Sequence, residues 1–399
     1  MSHADVPAAV TALRRTQTIR ERARFLYHRA RDGGSAWFTV DDDALERAAS
    51  EVAAVTRDNY PDLKIPYHSR WRHFEAGGID RRQQIGARVS GGDALTRAMV
   101  DLTVVSVLLD AGAGPDWRYT EPGTGQTFTR SEGLGVASLH AFCDGLFSSD
   151  PQDPLRVDAA GLARLDTHAL GRAFQVGPGN PLVGLDGRVE LLHRLGGALT
   201  EVSGAARPSA LLEPLLGRGP VAAHDILDRL LASLSGIWLT PSAIEGHPLG
   251  DCWPHDAVPG PGPSAGWMPF HKLSQWLTYS LLEPFEWAGE RITGLDELTG
   301  LPEYRNGGLF LDTGVLRLRD DNLTERAWSV GDQLIIEWRA LTVALLDEIA
   351  PLVRELLGVP DLPLACVLEG GTWAAGRALA QRLRGGRPPL VIDSDGTVF

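Results

Sequence analysis

The chain has 399 residues, 43% of them hydrophobic and 11 of them Trp, which marks a folded globular protein and excludes a disordered one. A net charge of −13 and a pI near 5.3 disfavour a generic nucleic-acid binder, which needs a basic face, though a local basic pocket for a small anion remains open. The N-terminus lacks the apolar region of a signal peptide, and no run approaches the ~20 apolar residues that span a bilayer, so a soluble cytoplasmic protein is expected. Three scattered cysteines, Cys143, Cys252 and Cys366, suggest neither a disulfide framework nor a thiolate zinc site.

In chain order, the apolar spacing predicts helices over 7–31, 42–56 (after the acidic cap Asp41-Asp42-Asp43), 94–112, 134–142, 158–174, 184–199, 224–234, 270–283 and 332–357. In the last of these, Leu334, Ile335, Trp338, Leu341, Leu345 and Ile349 share a face, and Pro351 is expected to kink or split it. Strand signals are short. Residues 309–312 and 315–318 read as a hairpin across Thr313-Gly314, and 389–392 as a strand near the end. There is no βαβ alternation and no long repeat. The expected architecture is mainly α, a single helical domain over 1–399 with a few short strands. It leaves room for an N-terminal helical subdomain, 1–150, packing on a catalytic helical core, 151–399. The Pro/Gly run 258–266 reads as a loop beside the active site, a surface loop or a linker.

Chemistry concentrates between Pro269 and Asp312. Lys272, Gln275 and Tyr279 share a helix face by i+3 and i+4 steps, suited to a sugar hydroxyl, an amide or a phosphate, or simply to solvent. Glu303 follows Pro302 and could act as a base or stabilise a cation, or pair structurally with Arg305 or Lys272. Arg305 could clamp a phosphate or carboxylate. Asp312 is a further polar residue in core-like sequence.

Three other clusters stand out. His247, Asp251 and His255 are spaced by four, the spacing of metal ligands on a helix, although Pro248, Gly250 and Pro254 argue against a regular helix. There Asp251 and Trp253 could instead line a substrate pocket, or the segment is an ordered loop with an anchoring Trp. The run 65–74 mixes His68, Arg70, Trp71, Arg72 and His73. It could seat an anion, or tie the N-terminal helices to the body. Ser131 lacks a Gly-x-Ser-x-Gly elbow, so a serine hydrolase is unsupported. Gly217-Arg218-Gly219 has the spacing of neither nucleotide loop. Asp393-Ser-Asp-Gly-Thr-Val-Phe resembles a phosphatase opening, but it ends the chain where such a motif opens a domain.

Pro66–Phe74, Arg130–Leu134, Leu249–Trp253, Pro269–Leu277, Leu298–Leu309 and Asp395–Phe399 resemble a family of fungal and bacterial uracil-catabolism proteins, long classed as a domain of unknown function. That family belongs to a route that degrades uracil through a ribosylurea-type intermediate and yields urea. A more distant similarity links Phe270-His-Lys-Leu-Ser-Gln-Trp-Leu, Leu298-Thr-Gly-Leu-Pro-Glu-Tyr-Arg and Glu337-Trp-Arg-Ala-Leu-Thr-Val to the queuosine-nucleotide salvage N-glycosylases, whose helical fold is akin to DNA glycosylases. Glu303 departs from their Asp.

The resemblance implies an N-glycoside hydrolase that splits ribosylurea, as its 5′-phosphate, into urea and ribose phosphate. Glu303 would stabilise the oxocarbenium-like transition state and activate water. Lys272 and Gln275 would hold the ribose or ureido group, and Asp251 would serve the leaving group as acid or hydrogen-bond partner. Arg305, Arg70 and Arg72 are candidates for the phosphate, with Tyr304, His271, Trp253 and Asp312 completing the substrate-binding set. No cofactor is expected. The partner is a small ribosyl or ureido molecule, with neither nucleic acid nor membrane. The alternatives are a metal-dependent amidohydrolase holding zinc or another divalent metal on His247, Asp251 and His255, and a non-catalytic binding protein.

Overall fold

Helix-breaking residues and buried side-chain anchors set where the elements begin and end. The computed structural model describes residues 5–202 and 206–393, so the C-terminal motif at 394–399 lies outside the described residues. The protein is mainly α-helical with short two-stranded sheets. It forms two compact units. The first contains residues 5–68, Ser242–Gln275 and Gly294–Asp393, and the second contains Ser69–Pro241 and Trp276–Thr293.

In the first unit the expected 7–31 helix is two helices, Asp5–Leu13 and Thr16–Arg31, because Arg15 is extended (φ −84°, ψ 136°). The break frees the Leu13 carbonyl, which accepts a hydrogen bond from His271 Nε2 at 3.0 Å. Helix Gln333–Leu357 runs through Pro351 without dividing and stops at Gly358, whose φ of 74° is readily adopted only by a residue without Cβ. Its buried face holds the six apolar residues named above and packs on Thr16–Arg31 and Leu45–Asn59.

Residues 309–312 are not a strand. They complete helix Tyr304–Asp312, which Glu303 caps. Thr313-Gly314 ends that helix, and Leu316–Leu318 pairs antiparallel with Phe38–Val40, a partner far away in sequence. Val391–Asp393 pairs parallel with Ala327–Ser329. The 258–266 run is the loop of a hairpin formed by Cys252–Pro254 and Trp267–Pro269. Buried Arg22 pins that loop by donating to Ser264 O at 2.7 Å and Ser264 Oγ at 3.0 Å.

The second unit is built on helices Gly92–Leu108, Arg130–Cys143, Leu185–Glu201 and Ala223–Leu234. The expected 158–174 helix is two short ones, Ala159–Ala163 and Thr167–Ala173, capped by Asp158 and Asp166. Helix Lys272–Trp287 gives its first turn to the first unit and the rest to the second, and it contains Pro284. Among the described residues no helix is long and apolar enough to cross a membrane.

Candidate functional site

The segment Leu298-Thr-Gly-Leu-Pro-Glu is held as an extended approach to a helix. Gln275, fully buried, latches it: its Oε1 accepts from Thr299 N at 2.8 Å, and its Nε2 donates to Thr299 Oγ1 at 2.6 Å and to Phe270 O at 3.0 Å. A Cβ on Gly300 would come within 2.6 Å of Leu346, so only glycine lets this backbone lie against helix Gln333–Leu357. After Pro302 the chain turns at Glu303 (φ −107°, ψ 164°), and the Glu303 side chain caps the helix that follows. Its Oε2 accepts from Arg305 N at 2.9 Å and its Oε1 from Asn306 N at 2.6 Å.

Those amides belong to the positive end of the helix dipole and favour the anion. Burial works the other way and dominates. It pushes the Glu303 carboxyl above its ordinary value, against the two amides and the charges of Lys272 and His68. Glu303 nevertheless keeps part of its surface accessible. A carboxylate anchored by two amides, with raised proton affinity and the Lys272 charge acting on it, is equipped to take a proton or to face a developing cation.

Lys272 is part-exposed and opens helix Lys272–Trp287. Its backbone N donates to Asp251 Oδ2 at 3.0 Å, which fixes the start of the helix. Asp251 is therefore not the acid that the sequence suggests. It is 3% exposed and accepts a fork from Arg339, with Nη1 to Oδ1 and Nη2 to Oδ2 both at 2.8 Å, plus Trp253 Nε1 at 2.8 Å. Four donors fill a carboxylate's four lone-pair sites. Burial alone would raise the Asp251 carboxyl, but Arg339 with the other donors holds it below its ordinary value. It has no proton to give. Trp253 is correspondingly an anchor, 7% exposed.

Several other expected binding residues prove structural. Gln275 spends its amide on Thr299 and holds the segment that carries Glu303, not a ligand. His271, 2% exposed with a strained φ of 48°, gives its ring to Leu13, and burial lowers its pKa, so it stays neutral. Asp312 is clamped by Arg384 through two bonds of 2.6 and 2.7 Å. Tyr304 is part-exposed, and the Arg305 guanidinium lies 4.7 Å from its ring centroid. Arg305 is buried and donates to Gly386 O at 3.3 Å. Among the described residues it forms no ion pair, and its Nε has no hydrogen-bond partner.

Arg70 and Arg72 belong to the second unit, where carboxylates already meet their charges. Arg70, fully buried, binds Asp110 at 2.7 Å and Ser106 Oγ at 2.7 Å. Arg72 binds Glu283 at 2.6 Å and Glu75 at 3.1 Å. These pairs join helix Arg70–Phe74 to Asp110 and Glu283 within the second unit, not the N-terminal helices to the body.

The metal set does not gather. His247 is exposed on the 243–248 hairpin, Asp251 is taken by Arg339, and buried His255 lies 3.3 Å from Glu337. Among the described residues no group of three or more His, Cys, Asp or Glu side chains could hold a metal ion.

Sequence reasoning missed Arg339 and Glu369, and it named His68 without a partner. Arg339 was within reach, since it lies in the Glu337-Trp-Arg motif, yet an arginine on an apolar helix face gives no hint of its partner. His68 and Glu369 are 301 positions apart, and their contact of 2.7 Å leaves no local pattern. Glu369 stands in a single π-helical turn, Leu368–Thr372, and such turns recur at functional sites.

Comparison with known proteins shows the family to which the chain belongs. "Protein urg3" of Schizosaccharomyces pombe is 39% identical over 411 residues, covering 98% of this chain and 99% of that protein. "Uracil catabolism protein 4" of Lachancea kluyveri is 36% identical over 436 residues, with 98% and 99% covered. The family described as "Protein of unknown function (DUF1688)" matches residues 12–399. With near-complete coverage on both sides, the chain belongs to that family.

Proposed function

We propose that this protein acts in uracil catabolism as an N-glycoside hydrolase, cleaving the C–N bond of ribosylurea, as its 5′-phosphate, to urea and ribose phosphate. The pathway rests on the printed name of the Lachancea kluyveri relative. The bond broken rests on one observation above the others. Glu303 is a part-accessible carboxylate of raised proton affinity, held by the Arg305 and Asn306 amides and acted on by Lys272.

Departure of the ureido group leaves positive charge on C1′ and the ring oxygen. A fixed carboxylate lowers the energy of that charge without reorganising, because its own hydrogen bonds already hold it. The same carboxylate then takes a proton from the attacking water, for which a pKa above the ordinary range is an advantage near neutral pH. Lys272 contributes a charge and three donors for ribose or ureido oxygens. Arg305, with no ion pair among the described residues, is the arginine left for the phosphate once Arg70 and Arg72 are accounted for. Asp251, Arg339 and Gln275 hold the two helix starts that carry Lys272 and Glu303.

The test is incubation of the purified protein with ribosylurea and with its 5′-phosphate. Release of intact urea supports glycoside cleavage, whereas ammonia with carbon dioxide indicates attack on the ureido carbonyl, the amidohydrolase alternative. Binding without product indicates a non-catalytic protein.

A further inference from the structure

Glycoside cleavage with Glu303 as the base leaves a second demand unmet. The ureido nitrogen is a poor leaving group as an anion and needs a proton as the C1′–N bond breaks. Asp251, the sequence candidate for that acid, is a saturated anion.

His68 has the features that the role requires. Its Nδ1 lies 2.7 Å from Glu369 Oε2, and Tyr60 Oη donates to Glu369 Oε1 at 3.1 Å. The His68 backbone N donates to Ala365 O at 3.0 Å, so both ring and backbone are fixed. Glu369 is in turn held by its π-helical turn. There, a Cβ on Gly370 or Gly371 would approach within 2.9 Å of Thr56 or 2.5 Å of Val52, which shows how tightly the turn is pressed on helix Leu45–Asn59.

Two contacts tie this turn to Glu303. Thr372 Oγ1 donates to Asn306 Oδ1 at 2.9 Å, and Asn306 is the residue whose amide donates to the Glu303 cap. A Cβ on Gly376 would fall 2.1 Å from Arg305 O, so helix Trp373–Arg384 lies directly on the Glu303 turn. The His68 ring is 6.3 Å from the ring of Trp373, the first residue of that helix. His68 is also one of the charges that act on Glu303. A carboxylate-oriented imidazole beside a carboxylate is a pairing that can divide acid and base duties.

We propose that His68 is the general acid that protonates the departing ureido group, and that Glu369, itself oriented by Tyr60, is its positioning residue. The inference rests on the glycoside-cleavage reading above. The C1′–N bond breaks with its electron pair passing to the ureido group, and His68 Nε2–H supplies the proton that makes neutral urea. Water adds to C1′ and loses a proton to Glu303. Exchange with solvent returns His68 to its protonated form and Glu303 to its anion, so the sum is ribosylurea plus water giving ribose and urea.

The experiment compares two substrates, ribosylurea and a 4-nitrophenyl riboside, in whichever 5′ form the wild type hydrolyses. Nitrophenolate leaves without a proton. His68→Gln is expected to lower kcat on ribosylurea by about 10²–10⁴-fold while changing nitrophenyl release by less than about threefold. Glu369→Gln is expected to show the same selectivity at smaller size, which guards against a folding defect in the first variant. Glu303→Gln loses both activities. Equal loss on both substrates in His68→Gln, or no loss on either, overturns the role of His68 while glycoside cleavage stands. Failure of the wild type to release urea overturns the reading beneath it, and the inference with it.

Discussion

Glu303 and Glu121 are both largely enclosed carboxylates, one at a helix start in the first unit and one in a hairpin turn in the second, and they have opposite electrostatics. Glu121 takes a guanidinium fork from Arg81 at 2.6 and 2.7 Å and a contact of 2.8 Å from His140. Its bond with Arg81 is the leading cause of a pKa lowered to about 2. Glu303 is held by two backbone amides, and burial pushes its pKa up. An arginine fork makes a carboxylate a permanent anion that fastens structure. Amides plus burial keep it fixed in place but able to exchange a proton. Asp251, forked by Arg339 and held below its ordinary value, falls on the side of Glu121.

The sharpest break of that contrast is Glu303→Gln. Turnover should fall by about 10²–10⁴-fold, while thermal melting shifts only by the loss of a cap, about 1 kcal/mol. Unchanged kcat would return Glu303 to a purely structural cap. Arg339→Leu should do the reverse kind of damage. It leaves the Asp251 charge buried and unpaired, at a cost of about 3–5 kcal/mol in denaturant unfolding.

Gln275→Ala separates latch from ligand. Loss of the latch on Thr299 predicts about 1–3 kcal/mol of destabilisation with kcat affected through Glu303, whereas a substrate-binding glutamine would raise KM and leave stability alone.

The mildest perturbation is pH. The account needs Glu303 ionised, and its raised pKa means turnover is lost as pH falls through a value above 4.5. Glu121, with its lowered pKa, contributes stability that is fully present above 4.5 and lost only as pH falls towards 2. Acidification should therefore abolish activity reversibly while circular dichroism still reports the native fold. Unfolding and inactivation that coincide would remove the distinction between the two carboxylates.

Much of the helical layout was legible in sequence. The apolar face of Gln333–Leu357 and the helix that opens at Lys272 follow from spacing alone. The misreadings share a cause. Leu309–Asp312 looks like a strand until Glu303 is recognised as a cap six residues upstream, since short apolar runs carry no period that distinguishes the two. Between 269 and 312 the polar residues stand out by type, but that Gln275 meets Thr299 and Asp312 meets Arg384, each on another element, is not written in their local sequence. Sequence identifies the residue types able to do chemistry. Long-range pairing decides which of them are spent on structure.

The central claim is tested most directly by product analysis of the purified protein and its Glu303→Gln variant on ribosylurea 5′-phosphate. The account predicts urea and ribose phosphate in equal amounts from the wild type and almost none from a variant that still folds and binds. Ammonia in place of urea, or undiminished urea from the variant, would contradict it.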